Sequence, residues 1–125
     1  MNKAVGLTDS EWKIMLLLWK NAPLTITQME HLMKEETGWS KHTIISFLKR
    51  MLKKDAIYVE EAQPAKLFYP KLDKSEAVRE ETHSFLQKLY GGSVGLMVSS
   101  LVQQEELSDA EIDDLMNMLR SSKKR

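Results

Sequence analysis

Apolar residues recur at intervals of three and four along most of this chain, and in only one region does the interval fall to two. Spacing at i, i+3, i+4 and i+7 lines one face of a helix, whereas alternation lines one face of a strand. Trp12, Met15, Leu16 and Trp19 have the helical spacing and predict a first helix over 9–20 with those four residues inward. Asn21-Ala22-Pro23 ends it, and Leu24-Thr25-Ile26 reads as a short strand. Met29, Leu32 and Met33 predict a second helix over 28–36. Ile44, Phe47, Leu48, Met51 and Leu52 form the fullest stripe, in a third helix that follows Ser40 and runs to about residue 54.

The period changes over 56–72. Residues 58–61 and 66–69 read as two strands joined around Gln63-Pro64-Ala65, with Pro70 as the stop. Helix, short strand, helix, helix and hairpin is the order of a winged helix-turn-helix domain, and Gly38 supplies the tight turn before its third helix. Beyond residue 72 the pattern is helical again. A fourth helix over 74–90 carries Val78, Thr82, Phe85, Leu86 and Leu89 on one side. Gly91-Gly92 breaks it, and a fifth helix from Ser93 carries Val94, Met97, Val98, Leu101 and Val102. A sixth over 109–121 carries Ile112, Leu115, Met116 and Leu119, and 121–125 reads as a frayed tail.

Capping signals mark the starts. Thr8 to Glu11, Thr27 to Glu30, Asp73 to Glu76 and Ser108 to Glu111 all read as capping boxes or close relatives. In such a box the first side chain accepts from a backbone N–H three residues on, and the acid reaches back. The fold class expected is therefore mainly α: a winged helix-turn-helix DNA-binding domain over 1–72 and a three-helix module over 73–125. Three helices in so short a segment bury little alone. The module is accordingly read as a dimerisation domain, with Phe85, Leu86, Leu89, Met97, Leu101, Ile112, Leu115, Met116 and Leu119 facing a second copy. The competing arrangement folds these helices back on the first domain.

Composition removes several classes. There is no Cys among the 125 residues, which excludes disulfides and thiolate chemistry and suits a reducing, cytoplasmic setting. The longest apolar run, Ile14 to Trp19, is far below the ~20 residues that span a bilayer, and the N-terminus lacks a signal-peptide pattern. No direct membrane association is expected. The formal net charge is zero, but it is unevenly distributed. Residues 1–72 hold 11 Lys/Arg against 8 Asp/Glu, and residues 73–125 hold 7 against 10.

The basic excess has a position. The third helix carries Lys41, Lys49, Arg50, Lys53 and Lys54 with no acid before Asp55. A merely soluble helix face mixes signs at i, i+4. Duplex DNA carries a negative charge every ~1.7 Å of axis, and its major groove admits a helix whose first turns meet base edges. Lys41 and His42 can donate to guanine acceptors. Thr43 and Ser46 can bond bases or phosphate, and Ile45 can touch a thymine methyl. Lys49, Arg50 and Lys53 suit phosphates, and Lys66 near the hairpin turn extends the footprint as a wing.

These residues resemble the penicillinase repressor family, which includes methicillin-resistance and copper-responsive repressors (BlaI/MecI/CopY). The carriers are LTDSEWKIMLLLW, GWSKHTIISFLKRMLKKDAI, FYP, SFLQKLYGGS and EELSDAEIDDL, which span almost the whole chain. The resemblance implies a homodimeric transcriptional repressor acting on an inverted repeat, with Ser40, Thr43 and Arg50 matching the family pattern. In the β-lactam branch it further implies a membrane sensor-protease partner and a cut near Ser100-Leu101, where the family usually has Asn-Phe. At the reading helix Lys41, His42 and Ile45 replace the family's Pro, Lys and polar reader. The copper branch's cysteine-rich tail is missing.

Other chemistries find no support in the spacing. His31, His42 and His83 lack metal-ligand intervals, so no metal and no cofactor are expected. Most of the eight Met fall on apolar stripes, where they fill cores. No nucleophile motif or phosphate loop is present, so an enzyme is not expected. Two non-enzyme alternatives remain, a winged helix that binds protein rather than DNA and a regulator with a small-molecule pocket.

Overall fold

The computed structural model describes residues 6–123. Its elements are α1 (Asp9–Asn21), α2 (Ile26–Leu32), α3 (Lys41–Lys53), β1 (Ile57–Glu60), β2 (Leu67–Pro70), α4 (Lys74–Tyr90), α5 (Val94–Gln103) and α6 (Asp109–Ser122). The architecture is mainly helical with one small antiparallel sheet, a winged helix followed by further helices. The chain forms two compact units, the first ending at Thr82 and the second beginning at His83, so α4 contributes to both.

In the first unit Ile14, Met15 and Leu18 of α1 meet Met29 of α2, Ile44, Leu48 and Met51 of α3, and Ile57 and Phe68 of the hairpin in one core. The stripe on α3 is as expected, with Phe47 and Leu52 half-buried at its margins. β1 and β2 pair with Ile57 opposite Pro70 and Val59 opposite Phe68. Leu24 bridges Phe68, which makes the short segment after α1 a third, one-residue strand. Gly38 closes the turn before α3 at φ +64°, a left-handed conformation that glycine adopts without steric cost. Its N–H donates to the Met33 carbonyl at 3.1 Å.

Four local expectations are corrected. The inward face of α1 is Glu11, Ile14, Met15 and Leu18, one residue round from the expected set. Leu16 is 48% exposed, and Trp12 and Trp19 sit half-buried at the edge, ring centroids 5.9 Å apart. The run Ile14 to Trp19 is apolar on every side, so period alone did not select the face. α2 starts earlier, because Thr25 and Gln28 form the reciprocal capping box instead of Thr27 and Glu30. It also ends at Leu32, which leaves that residue 48% exposed rather than inward. The strands are shifted by one residue, and Pro70 closes β2 from inside its last pair.

The boxes at Thr8/Glu11 and Ser108/Glu111 form as expected. Asp73 supplies one arm, accepting from the Glu76 N–H at 3.1 Å. In the second unit Gly91 and Gly92 adopt φ +57° and +88° and end α4, and Ser93 caps α5. Neither α5 nor α6 has a fully buried residue. Of the expected tail, Ser121 and Ser122 complete α6, while Lys124 and Arg125 lie outside the described residues.

Candidate nucleic-acid interface

The candidate site is the outward face of α3. Its start is set by Ser40, whose hydroxyl accepts from the Thr43 N–H at 3.2 Å and donates to the Thr43 hydroxyl at 3.3 Å. Such a cap contributes about 1 kcal/mol and leaves the first turn well ordered. The order matters because the first turn carries the side chains proposed to meet bases. Lys41, His42 and Ser46 are exposed, and Thr43 and Ile45 are half-buried beside them. Lys49, Arg50 and Lys53 continue the face toward the C-terminus, all exposed. Among the described residues no ion pair involves Lys41, His42, Lys49 or Lys53.

Arg50 differs from its neighbours. Its Nε lies 3.4 Å from Oε2 of Glu11, and its guanidinium stands 5.1 Å from the centroid of the Phe47 ring. Phe47 in turn packs on Trp39 at 4.9 Å. Lys54, just past α3, donates to Oε1 of Glu11 at 2.6 Å and also to the Gly6 carbonyl. Glu11 is completely buried. Burial pushes its carboxyl up, but hydrogen bonds from Lys54 and the Thr8 N–H, with the charges of Lys54 and Arg50, hold it below the ordinary carboxylate value. Sequence reasoning placed Glu11 only in the capping box. The one available signal was an acid sharing a helix with a long apolar run.

The wing is less basic than Lys66 alone suggests. Lys66 lies 3.7 Å from Glu61, both well exposed. Tyr58 and Tyr69 stack at 4.9 Å and 3° between planes on the hairpin's outer side, and the Tyr69 hydroxyl donates to Glu60 at 2.8 Å. That hydrogen bond raises the Tyr69 hydroxyl above its ordinary value. An open groove of about 510 Å³ lies between α2 and the start of α3, lined by Thr27, Glu30, His31, Lys34, Gly38, Trp39 and Ser40. No group of three or more His, Cys, Asp or Glu among the described residues could hold a metal. Among the described residues no helix is long and apolar enough to cross a membrane.

The residues expected at the dimer interface are divided in exposure. Leu89 and Leu119 are 57% and 68% exposed, with Phe85, Leu115 and Met116 also exposed. Leu86, Met97, Leu101 and Ile112 are half-buried. Ser100 and Leu101 lie within α5, and the Ser100 carbonyl accepts from the Gln104 N–H at 3.1 Å.

Comparison with known proteins gives a consistent picture. The sequence profile described as penicillinase repressor matches residues 7–121. The penicillinase repressor of Bacillus licheniformis is 28% identical over 125 residues, which covers 100% of this chain and 98% of that one. The methicillin resistance regulatory protein MecI of Staphylococcus aureus (strain N315) is 26% identical over 120 residues, covering 94% and 96%. The monomeric form of Bacillus licheniformis BlaI, solved in complex with the blaP half-operator, matches with a TM-score of 0.53 and 25% identity. That alignment covers 61% of this chain and 93% of the other.

Proposed function

Because this chain belongs to the penicillinase repressor family, whose members are transcriptional regulators rather than enzymes, we propose that it is a DNA-binding repressor that inserts α3 into the major groove. The observation that carries this reading is the outward face of α3. It has cations along its length, no ion pair at Lys41, Lys49 or Lys53 among the described residues, and a capped first turn. The similarity to a repressor solved in complex with a half-operator supports DNA binding. In this reading Ser40 fixes the helix start. Lys41, His42, Thr43, Ile45 and Ser46 meet base edges, while Lys49 and Lys53 meet phosphates. Lys66, beside Glu61, adds a weaker contact from the wing.

The repressor acts as a homodimer on an inverted repeat, its two α3 helices about one helical turn (~34 Å) apart on the duplex. The apolar exposure of the second unit supports this. Side chains such as Leu89, Leu96, Val102, Met118 and Leu119 stand more than half exposed, and so many exposed large apolar side chains in one short segment favour association with a partner. The dimerisation domain is proposed as residues 73–125, with its contacts concentrated in the unit that begins at His83. A sensor-protease is proposed as the inducing partner, with a cut at Ser100-Leu101. Since that bond lies in a helix and proteases favour exposed loop tips, cleavage requires α5 to open first.

A titration of the full chain against duplex DNA at several salt concentrations tests the reading. The expected result is affinity that falls steeply and log-linearly with salt, by a slope of about 0.9 per phosphate contact. Binding that ignores salt, or no binding, contradicts it.

A further inference from the structure

We infer that Glu11 is a positioning residue for the DNA-reading helix, holding Arg50 and Lys54 against α1 so that α3 enters the groove at a fixed angle and its phosphate contacts fall to Lys49 and Lys53. The inference rests on the DNA-binding reading above and adds a division of labour among the cations of α3. A fully buried carboxylate is tolerated only when it is paired and hydrogen-bonded. Glu11 meets that demand at Oε1, which accepts from Lys54 at 2.6 Å and the Thr8 N–H at 2.9 Å, while Oε2 makes no hydrogen bond and faces Arg50 as an ion pair at 3.4 Å.

The geometry spans the whole helix. Glu11 stands in the first turn of α1, while its two partners stand at the last turn of α3 and just beyond it. The Lys54 ammonium also binds the Gly6 carbonyl, so the segment before α1 is tied to the same point. On the other side of Arg50, the Phe47 ring lies under the guanidinium and against Trp39, at the turn that precedes Ser40. Glu11, Arg50, Phe47 and Trp39 thus run along one flank of α3 from its end to its beginning. Arg50 is engaged on two sides, whereas no ion pair among the described residues involves Lys49 or Lys53. A sequence preference depends on the angle at which side chains reach base edges, while phosphate attraction tolerates small rotations. Loosening this flank should therefore cost specific affinity more than non-specific affinity.

The test uses the full chain with two duplexes, one enriched by selection from a random pool and one with the same bases scrambled. Wild type, Lys49→Ala, Arg50→Ala and Glu11→Gln are titrated on both across a salt series. Lys49→Ala should flatten the salt slope by about 0.9 on both duplexes. Arg50→Ala should keep the wild-type slope and weaken the selected duplex roughly tenfold more than the scrambled one, the scale of one lost base contact. Glu11→Gln should repeat the Arg50→Ala pattern. Should Glu11→Gln fail to fold, the half-exposed Arg50 decides alone. An Arg50→Ala slope as flat as that of Lys49→Ala, equal loss on both duplexes, or no loss at all overturns the inference. Wild-type protein that binds neither duplex overturns the DNA reading itself, and that outcome is seen before any substitution is compared.

Discussion

The indole N–H of Trp19 donates to the carbonyl oxygen of Leu72 at 2.9 Å, across 53 positions of sequence. This bond ties the last turns of α1 to the segment that leads from the hairpin into α4. Leu72 is buried, so its carbonyl has little water to fall back on. Replacing Trp19 by Phe keeps an aromatic six-membered ring at the position and removes the donor. The expected cost is about 1–3 kcal/mol, the penalty of an unmade buried hydrogen bond. Urea denaturation of the variant checks it, and an unchanged midpoint would show that the carbonyl is hydrated.

Glu11 gives a pH dependence with a defined sign. Its folded-state value is lowered, so the unfolded chain binds the proton more readily. The stability it contributes is present above the ordinary Glu value of about 4.3 and is lost as pH falls through the lower folded value. Asp73 is lowered too, by the Ser75 hydroxyl first and the Glu76 N–H second, and it is common to wild type and variant. The difference in stability between wild type and Glu11→Gln therefore isolates Glu11. It should be constant near neutrality and shrink toward zero below about pH 4. Thermal melts across pH read it directly; a difference that persists at low pH would contradict the pairing.

Lys49 and Lys53 should act on DNA without sequence preference. Replacing both with Ala is expected to weaken binding to every duplex and to reduce the salt slope by about 1.8, two phosphate contacts. Replacing Thr43 should instead change which sequence is preferred. Equal losses on all sequences would make Thr43 a positioning residue, in keeping with its hydrogen bonds to Ser40.

The second unit should associate through its apolar faces. Leu89→Asp combined with Leu119→Asp places charge on two exposed apolar positions of the proposed interface, and a charge buried there without a partner is strongly disfavoured. Sedimentation equilibrium should give twice the 14.4 kDa chain mass for wild type and the single mass for the variant. Association of the variant at wild-type strength would move the interface elsewhere.

The chain's order of elements was legible because the third helix and the hairpin carry unambiguous periods. Ile44, Leu48 and Met51 are buried where the stripe put them. The face of α1 was not legible, because Ile14 to Trp19 is apolar all round and packing, not period, chose Leu18 over Leu16. The start of α2 was ambiguous for a similar reason: two overlapping Thr-led boxes compete, and Thr25 with Gln28 prevails. At the candidate site, the exposed run of cations was visible as residue types. The pairing of Arg50 and Lys54 with Glu11 was not, since it joins positions 39 and 43 residues apart through burial that only the fold creates.

Selection of bound duplexes from a random pool by the 125-residue chain tests the central claim most directly. Two copies of α3, held by the second unit and reading bases from their first turns, should enrich an inverted repeat with half-sites about one helical turn apart. Titrations of the enriched duplex should fall steeply with salt. A pool that shows no enrichment, or enriches single half-sites with no defined partner spacing, would contradict the account.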